Sequence, residues 1–334
     1  MATIIQVAEL AGVSKATVSR VLSGSQLVAE ETKLRVDHAI KQLGYRPNPA
    51  ARALKSNRTN LIGVVIPTIE SPFFGPFIGG VHAMLANTDF SLLFAGASVS
   101  PQSERRAVQS LIDRQCDGLI LFLDFQVNPS ELQDIDRYQD RMVMVGPNPS
   151  TFCNHQLSVD NLYGGYLAAK HLLQKGHRKI IFLSGEPHFD DARQRMQGCE
   201  RALAEFGLSK KDIVIKFGPY SEEWGYEAGL DLLQKHKDCT AVLAGDDEIA
   251  AGVYTACREL GLQVGEDISV MGYDDMFFAR HLYPSLTTIA QPMEEMGNQA
   301  ASAIMDLIYQ VDTIGRSTLL RPKLIERQSV KSLI

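Results

Sequence analysis

One tryptophan and a few dispersed cysteines set the first limits on this chain of 334 residues. Cys116, Cys153, Cys199, Cys239 and Cys257 are odd in number, far apart and free of any CxxC or Cys/His grouping. That pattern indicates neither a disulfide framework nor a zinc site, and the five are expected to be small buried hydrophobes. No apolar run reaches 18 residues, so no membrane helix is encoded. The N-terminus enters a capped helix directly, without a basic-then-apolar leader, which makes a cytoplasmic protein the expectation. Catalytic signatures are missing as well: there is no GxSxG, P-loop or HExxH, and the loop after Gly185 lacks GxGxxG spacing. The histidines are scattered, with His171 and His177 expected on helix surfaces. No activated nucleophile or metal set accompanies the paired Asp274 and Asp275. The expectation is a protein that is not an enzyme, with no cofactor and no metal.

What is present begins at residues 3 to 23, TIIQVAELAGVSKATVSRVLS. Thr3 and Gln6 have capping-box spacing, which satisfies backbone donors left open by the first turn, so a helix is predicted from about Ile4. Val7, Ala8 and Ala11 share one face, and Gly12 supplies the left-handed residue that stops the helix without a Cβ clash. Ser14 is a second N-cap. Behind it Val18, Val21 and Leu22 form an inward stripe, leaving Lys15, Ala16, Thr17, Ser19 and Arg20 outside. Two short helices around the AGV turn make a helix-turn-helix pattern. A third helix is predicted from about Glu30 to Leu43, with Val36, Ile40 and Leu43 inward and Gly44 as its stop. Periodicity alone suits a plain helical hairpin equally well.

Charge separates the two. Residues 1 to 60 hold nine Lys or Arg against four Asp or Glu, a net of +5, whereas the remainder holds 24 against 35, a net of −11. A basic head on an acidic body calls for a polyanionic partner of the head alone. Residues 46 to 60, RPNPAARALKSNRTN, then join helix-start chemistry to basic residues. Asn48 can cap, Pro49 fits the first helical position, and Ala50 to Leu54 continue for about two turns. So short a helix is marginal alone and is expected to form with DNA and a second copy. Leu54, a lone large apolar side chain among Arg52, Lys55 and Arg58, suits a wedge into the minor groove; covering the edge of the next domain is the alternative.

From Leu61 onward short apolar runs alternate with helical stretches. LIGVVIP, SLLFAGA, DGLILFL and RMVMVG form one series of strands, with helices expected around Phe77 to Ala86, Ser103 to Arg114 and Pro129 to Tyr138. KIIFLSG, DIVIKFG, TAVLAGD and DISVMGYDD form a second. Continuous apolar strands separated by helices predict parallel sheets covered on both faces, in two lobes. Open parallel sheets bind ligands beyond the carboxyl ends of their strands. There the sequence places Glu70 to Phe74, Arg193 and Arg195, Tyr220 near Trp224, Asp246-Asp247, and Tyr273-Asp274-Asp275. Aromatic faces and forked Arg and Asp groups suit a polyhydroxylated ligand, although Phe73 and Phe74 would also serve as helix-entry core and Asp246 as a cap.

On the motifs QVAELAGVSKATVSRVLS, GYRPNPAARAL, SPFFG, YLAAKHLLQKGHRKIIFLSG, ISVMGYDD and LTTIAQPMEEMG, the chain resembles the lactose-repressor/galactose-repressor family of transcriptional regulators over essentially its full length, closest to the galactose-repressor branch. The resemblance implies a small all-α helix-turn-helix head plus an α/β body of two doubly wound parallel-sheet lobes, like a periplasmic sugar-binding protein. The implied domains are a head at 1–46, a hinge helix and linker at 47–60, and an effector-binding and dimerisation body at 61–334. Within the body, lobe one would take about 61–160 and 291–321, and lobe two about 161–290 and 322–334. It further implies a homodimer on a pseudo-palindromic DNA operator. Lys15, Ala16 and Arg20 would read base edges, Ser14, Thr17 and Asn48 would position the backbone, Leu54 would intercalate and Lys55 would support it. A sugar effector, a galactose-type hexose or β-glucoside, would lie between the lobes against Phe73, Phe74, Arg195, Tyr220, Asp246, Asp274 and Gln291.

Three positions depart from the family pattern. Asp246 stands where Asn is usual, which adds a carboxylate and argues against an anionic effector. Gly146 replaces a polar residue after the MVMV strand. Ala29 replaces the usual Ser cap of the third helix, at a cost of about 1 kcal/mol of local stability. No heptad pattern follows LIERQSV, so a dimer is expected rather than a tetramer. The expected function is repression of a carbohydrate-utilisation operon with release by sugar; the alternative is a corepressor that strengthens operator binding.

Overall fold

The computed structural model describes residues 2–25, 27–46, 58–97, 100–125, 128–146, 153, 155–311, 315 and 317–334. The expected hinge residues Asn48, Leu54 and Lys55 lie outside them. The chain divides into two compact units, Met1–Asn60 and Leu61–Ile334.

The first unit consists of α1 (Ile4–Ala11), α2 (Lys15–Leu22) and α3 (Glu30–Leu43). The capping box forms: the Thr3 backbone N–H donates to Gln6 Oε1 at 2.8 Å, and the Gln6 N–H to Thr3 Oγ1 at 3.4 Å. Gly12 ends α1 at φ +64, a left-handed conformation that a Cβ would strain. Ser14 caps α2 by accepting the Thr17 N–H at 3.1 Å, whereas Ala29 gives α3 no side-chain cap. Val7, Ala8, Ala11, Val18, Val36 and Ala39 close a miniature core, with Val21, Ile40 and Leu43 packed at its edge. Leu22, expected inward, is instead exposed, because it is the last residue of α2 and Val21 takes the inward position one turn after Val18.

In the second unit, β1 (Leu61–Ile66), β2 (Ser91–Gly96), β3 (Gly118–Phe122), β4 (Met142–Val145) and β5 (His155–Val159) begin one parallel sheet. A second parallel sheet holds β6 (Ile180–Gly185), β7 (Val214–Gly218), β8 (Ala241–Ala244) and β9 (Ser269–Met271) in the order β7-β6-β8-β9. β10 (Thr288–Ala290) then precedes β11 (Ser317–Leu320), which joins the first sheet beside β5 to complete the order β11-β5-β4-β3-β1-β2. β12 (Lys323–Ile325) pairs antiparallel with β10. The chain therefore passes between the two lobes three times: after β5, after β10 and after β11.

The central strands β1, β3, β4, β6 and β8 are buried on both faces, which is why they read as apolar runs. α4 (Gly75–Leu85) and α10 (Met293–Tyr309) cover one face of the first sheet, and α5 (Pro101–Asp113) covers the other. α6 (Asn161–Gln174) and α7 (Asp190–Glu205) cover one face of the second, with α8 (Glu222–Lys235) and α9 (Asp247–Glu259) opposite. Among the described residues no helix is long and apolar enough to cross a membrane.

Several expectations need correction. The helix expected over Pro129 to Tyr138 is two 3-10 turns, Pro129–Glu131 and Ile135–Arg141, separated by Asp134 at φ +58. His171 and His177 are not surface residues. His171 faces the core from α6, and the His177 ring is wedged between Thr240 Oγ1 at 2.9 Å and the Lys331 carbonyl at 3.1 Å. Burial holds both imidazoles below their ordinary pKa. Four of the cysteines are buried and Cys239 is half-buried.

Candidate nucleic-acid interface and ligand cleft

In the head, Val18 and Val21 turn α2 towards α1 and α3, so the opposite face is free to meet another surface. Lys15, Ala16 and Arg20 are exposed and Thr17 is half-buried. Ala16 and Arg20 are one turn apart and both point away from Val18, which leaves a small side chain beside a long forked one. Ser14 Oγ and Thr17 Oγ1 lie 2.9 Å apart. Tied to each other, the two hydroxyls sit at the helix N-terminus, where open backbone N–H groups favour anions.

In the body, a cavity of 280 Å³ lies at the carboxyl ends of the strands of both sheets, near the lower end of the roughly 300–1,000 Å³ typical of small-molecule sites. Phe73, Phe74, Arg195, Tyr220, Asp246, Asp274 and Gln291 all line it.

Arg195 is the most constrained of these. It projects from α7, which lies so close to α6 that a Cβ on Gly198 would collide with the Leu162 carbonyl and one on Gly165 with the backbone of Arg195. This approach lets Arg195 Nε donate to Asn161 Oδ1 at 3.0 Å while Nη1 donates to the Gly245 carbonyl at 2.6 Å. Nη2 lies 3.3 Å from Asp191 and 3.7 Å from Asp274, and the guanidinium stacks 3.8 Å over the Tyr273 ring. Burial opposes its charge, but Tyr220, Asp191 and Asp274 outweigh burial and hold it protonated.

The acidic pairs divide between wall and scaffold. Asp246 lines the cavity while capping α9, accepting the Ile249 N–H at 2.7 Å; cap and cleft residue are the same side chain. Asp247 instead turns beneath the wall, accepting the Met276 N–H at 2.7 Å and the Thr288 hydroxyl at 2.6 Å. Asp274 faces the cavity and accepts from Gln291 Nε2 at 2.6 Å. Asp275 points to Arg327 Nη2 at 2.6 Å. Asp274 and Asp275 have φ of +110 and +56, a left-handed turn that costs energy in non-glycine residues and is held by these partners. Burial raises the pKa of Asp246 and Asp274.

Rings complete the wall. Phe73 and Phe74 meet edge-to-face at 5.0 Å, and Phe74 meets Phe122 at 5.2 Å, so Phe74 belongs to the core as well as to the cleft. Phe189 stacks near Tyr220 at 6.2 Å. Glu70, Arg193 and Trp224, singled out in the sequence, do not line the cavity: Arg193 pairs with Asp190, and Trp224 packs on the core.

Sequence reasoning passed over Asp124, Asn161, Asp191, Glu186, His188, Phe189 and Glu248, all in the lining. Asp124 follows DGLILFL at a strand end and obeyed the rule that found the others. It supplies a carboxyl to the wall where Gly146, at the end of neighbouring β4, offers only backbone. Burial, then Glu104 and Asp191, push its pKa up to about 8. Asp191 lies one helical turn before Arg195. Nothing local marked Glu248, whose Oε1 accepts the Ser71 hydroxyl at 2.6 Å across the cleft. A buried fork of Arg and carboxyls between rings is suited to holding hydroxyl-bearing ligands. Among the described residues, no group of His, Cys, Asp or Glu is arranged to hold a metal.

Comparison with known proteins agrees along the whole chain. Residues 3–48 match the model of bacterial regulatory proteins of the lacI family, and residues 169–330 match a periplasmic binding protein-like domain. The HTH-type transcriptional regulator GalR of Escherichia coli (strain K12) is 34% identical over 332 residues, covering 99% of this chain and 96% of its own. The HTH-type transcriptional repressor PurR of Haemophilus influenzae is 36% identical over 341 residues, covering all of both. Among solved structures, a lac repressor dimer bound to operator and the anti-inducer ONPF superposes with a TM-score of 0.87 at 26% identity, covering 99% of each chain. A complex of the transcriptional regulator CelR with cellobiose does so at 0.73 and 30% identity, covering 98% of this chain and all of the other. The chain belongs to the lacI family of bacterial regulatory proteins, and is a DNA-binding transcriptional repressor with a ligand-binding body rather than an enzyme.

Proposed function

We propose that the protein holds a pseudo-palindromic operator as a homodimer and that a small sugar, a hexose or β-glucoside, bound in the cleft releases it. Lys15, Ala16 and Arg20 read base edges, Arg20 through a forked contact to guanine. Ser14, Thr17 and Asn48 position the phosphate backbone, and Leu54 with Lys55 works the minor groove between half-sites. The observation that carries the sugar reading is the Arg195 fork beside Asp191 and Asp274, set between Phe73, Phe189 and Tyr220. Aromatic faces take the C–H face of a sugar ring while the charged groups take its hydroxyls. Release requires that the sugar bind the two states unequally.

The test selects bound fragments from random DNA and then measures retention against a panel of hexoses and β-glucosides. Release by at least one sugar, with a rise in melting temperature, is expected; no effect from the whole panel sinks the sugar reading. Arg195→Lys, which keeps the charge but loses the fork, is expected to weaken that sugar about tenfold or more in calorimetry. The second reading is a corepressor, a ligand that strengthens operator binding. The direction of a gel shift on adding ligand decides between them.

A further inference from the structure

Glu104 does not line the cavity. It lies in the first turn of α5 and is 1% exposed. Its two carboxylate oxygens accept the backbone N–H groups of consecutive residues, Asp124 at 2.8 Å and Phe125 at 3.1 Å. These two residues form the turn by which the chain leaves β3 at the cleft. Asp124 lines the cavity. The Phe125 ring stacks on that of His188, from the opposite lobe, at 5.9 Å and 11°, and meets Phe189 at 6.0 Å.

A buried carboxylate is costly, so its use here requires a reason that a neutral side chain would not meet. Two adjacent N–H groups need two acceptor oxygens side by side. A carboxylate has them, whereas the amide of Gln presents one acceptor and one donor.

The geometry points to Glu104 as a positioning residue of the ligand cleft: it fixes the turn after β3 so that Asp124 faces the ligand and Phe125 reaches the opposite lobe. The link to ligand affinity rests on the sugar reading above, whereas the positioning is a property of the protein without ligand.

The experiment compares the full-length protein with Glu104→Gln at pH 8, above the Glu104 pKa of about 7, where the carboxylate form prevails. In hydrogen exchange without ligand, the Asp124 and Phe125 amides should exchange at least about tenfold faster in the variant, while β1 and the second sheet keep their rates. Calorimetry with cellobiose and with D-galactose should show the dissociation constant of whichever binds the wild type rising by a similar factor. Unchanged exchange at 124 and 125, or acceleration spread evenly over the first lobe, overturns the assignment. Should neither sugar bind the wild type, exchange alone decides the positioning, and the sugar reading stands or falls on the whole panel above. If Glu104→Gln does not fold, Phe125→Ala tests the far end of the arrangement, since the ring is only half-buried. The His188 ring resonances should shift in that variant, and unshifted resonances overturn the contact across the cleft.

Discussion

Asp124 shows how one carboxyl couples the cleft to pH. Burial, with Glu104 and Asp191 nearby, places its pKa at about 8, and burial takes Glu104 to about 7. Both exceed the unfolded values near 4, so the folded chain keeps protons that the unfolded chain releases. Their contribution to stability is fully present below about pH 4 and is lost as pH rises through 7 to 8. Asp124→Asn removes the titrating group. Its melting temperature relative to wild type should therefore improve steadily from pH 5 to pH 9 in scanning calorimetry, and a difference independent of pH would contradict the assignment. At this scale the sequence was legible in residue type but not in direction. Asp246-Asp247 and Asp274-Asp275 are chemically alike as neighbours, and only the backbone turns decide that the first of each pair faces the ligand space.

At the scale of elements, the pattern specified most helices because caps and stops are local chemistry. Ala29 is the exception that can be tested. Its backbone is extended, at φ −59 and ψ 144, and no side chain caps α3. Ala29→Ser should raise the stability of the head by about 1 kcal/mol, read as an upward shift of its thermal transition. Gly198 tests the opposite case, since a methyl group there meets backbone rather than a flexible side chain. Gly198→Ala should cost about 1–3 kcal/mol in urea unfolding and weaken ligand binding by displacing Arg195 from Asn161. What local pattern could not supply was tertiary. β5 includes His155, Gln156 and Ser158, and is a strand because β4 and β11 flank it. The Pro129 to Tyr138 region carried helical spacing but broke at Asp134.

For the whole molecule, charge is as informative as fold. A head of +5 on a body of −11 separates two kinds of binding by their response to salt. DNA retention should fall with a log–log slope of about −0.9 per phosphate engaged, while uptake of a neutral sugar in the cleft should stay nearly constant over the same range. Filter binding and calorimetry in a common salt series measure both, and a steep salt dependence in the cleft would mean a charged ligand. Fold class and the ligand-bearing strand ends could be read ahead of the structure because parallel sheets put function at one end. The contacts across the cleft, Ser71 to Glu248 and Phe125 to His188, could not, because each joins residues distant in the chain.

One small contact has a larger consequence. Gln291 precedes α10, on the second of the three passages between lobes, and its amide occupies Oδ1 of Asp274, a wall residue of the cleft. The backbone joins them again, with the Gln291 N–H reaching the Asp274 carbonyl at 3.4 Å. A ligand hydroxyl that approaches Asp274 therefore meets a carboxyl already tied, through Oδ1, to the connection between the lobes. Occupancy and articulation thus share one side chain, which puts the joint within direct reach of whatever fills that corner of the cleft.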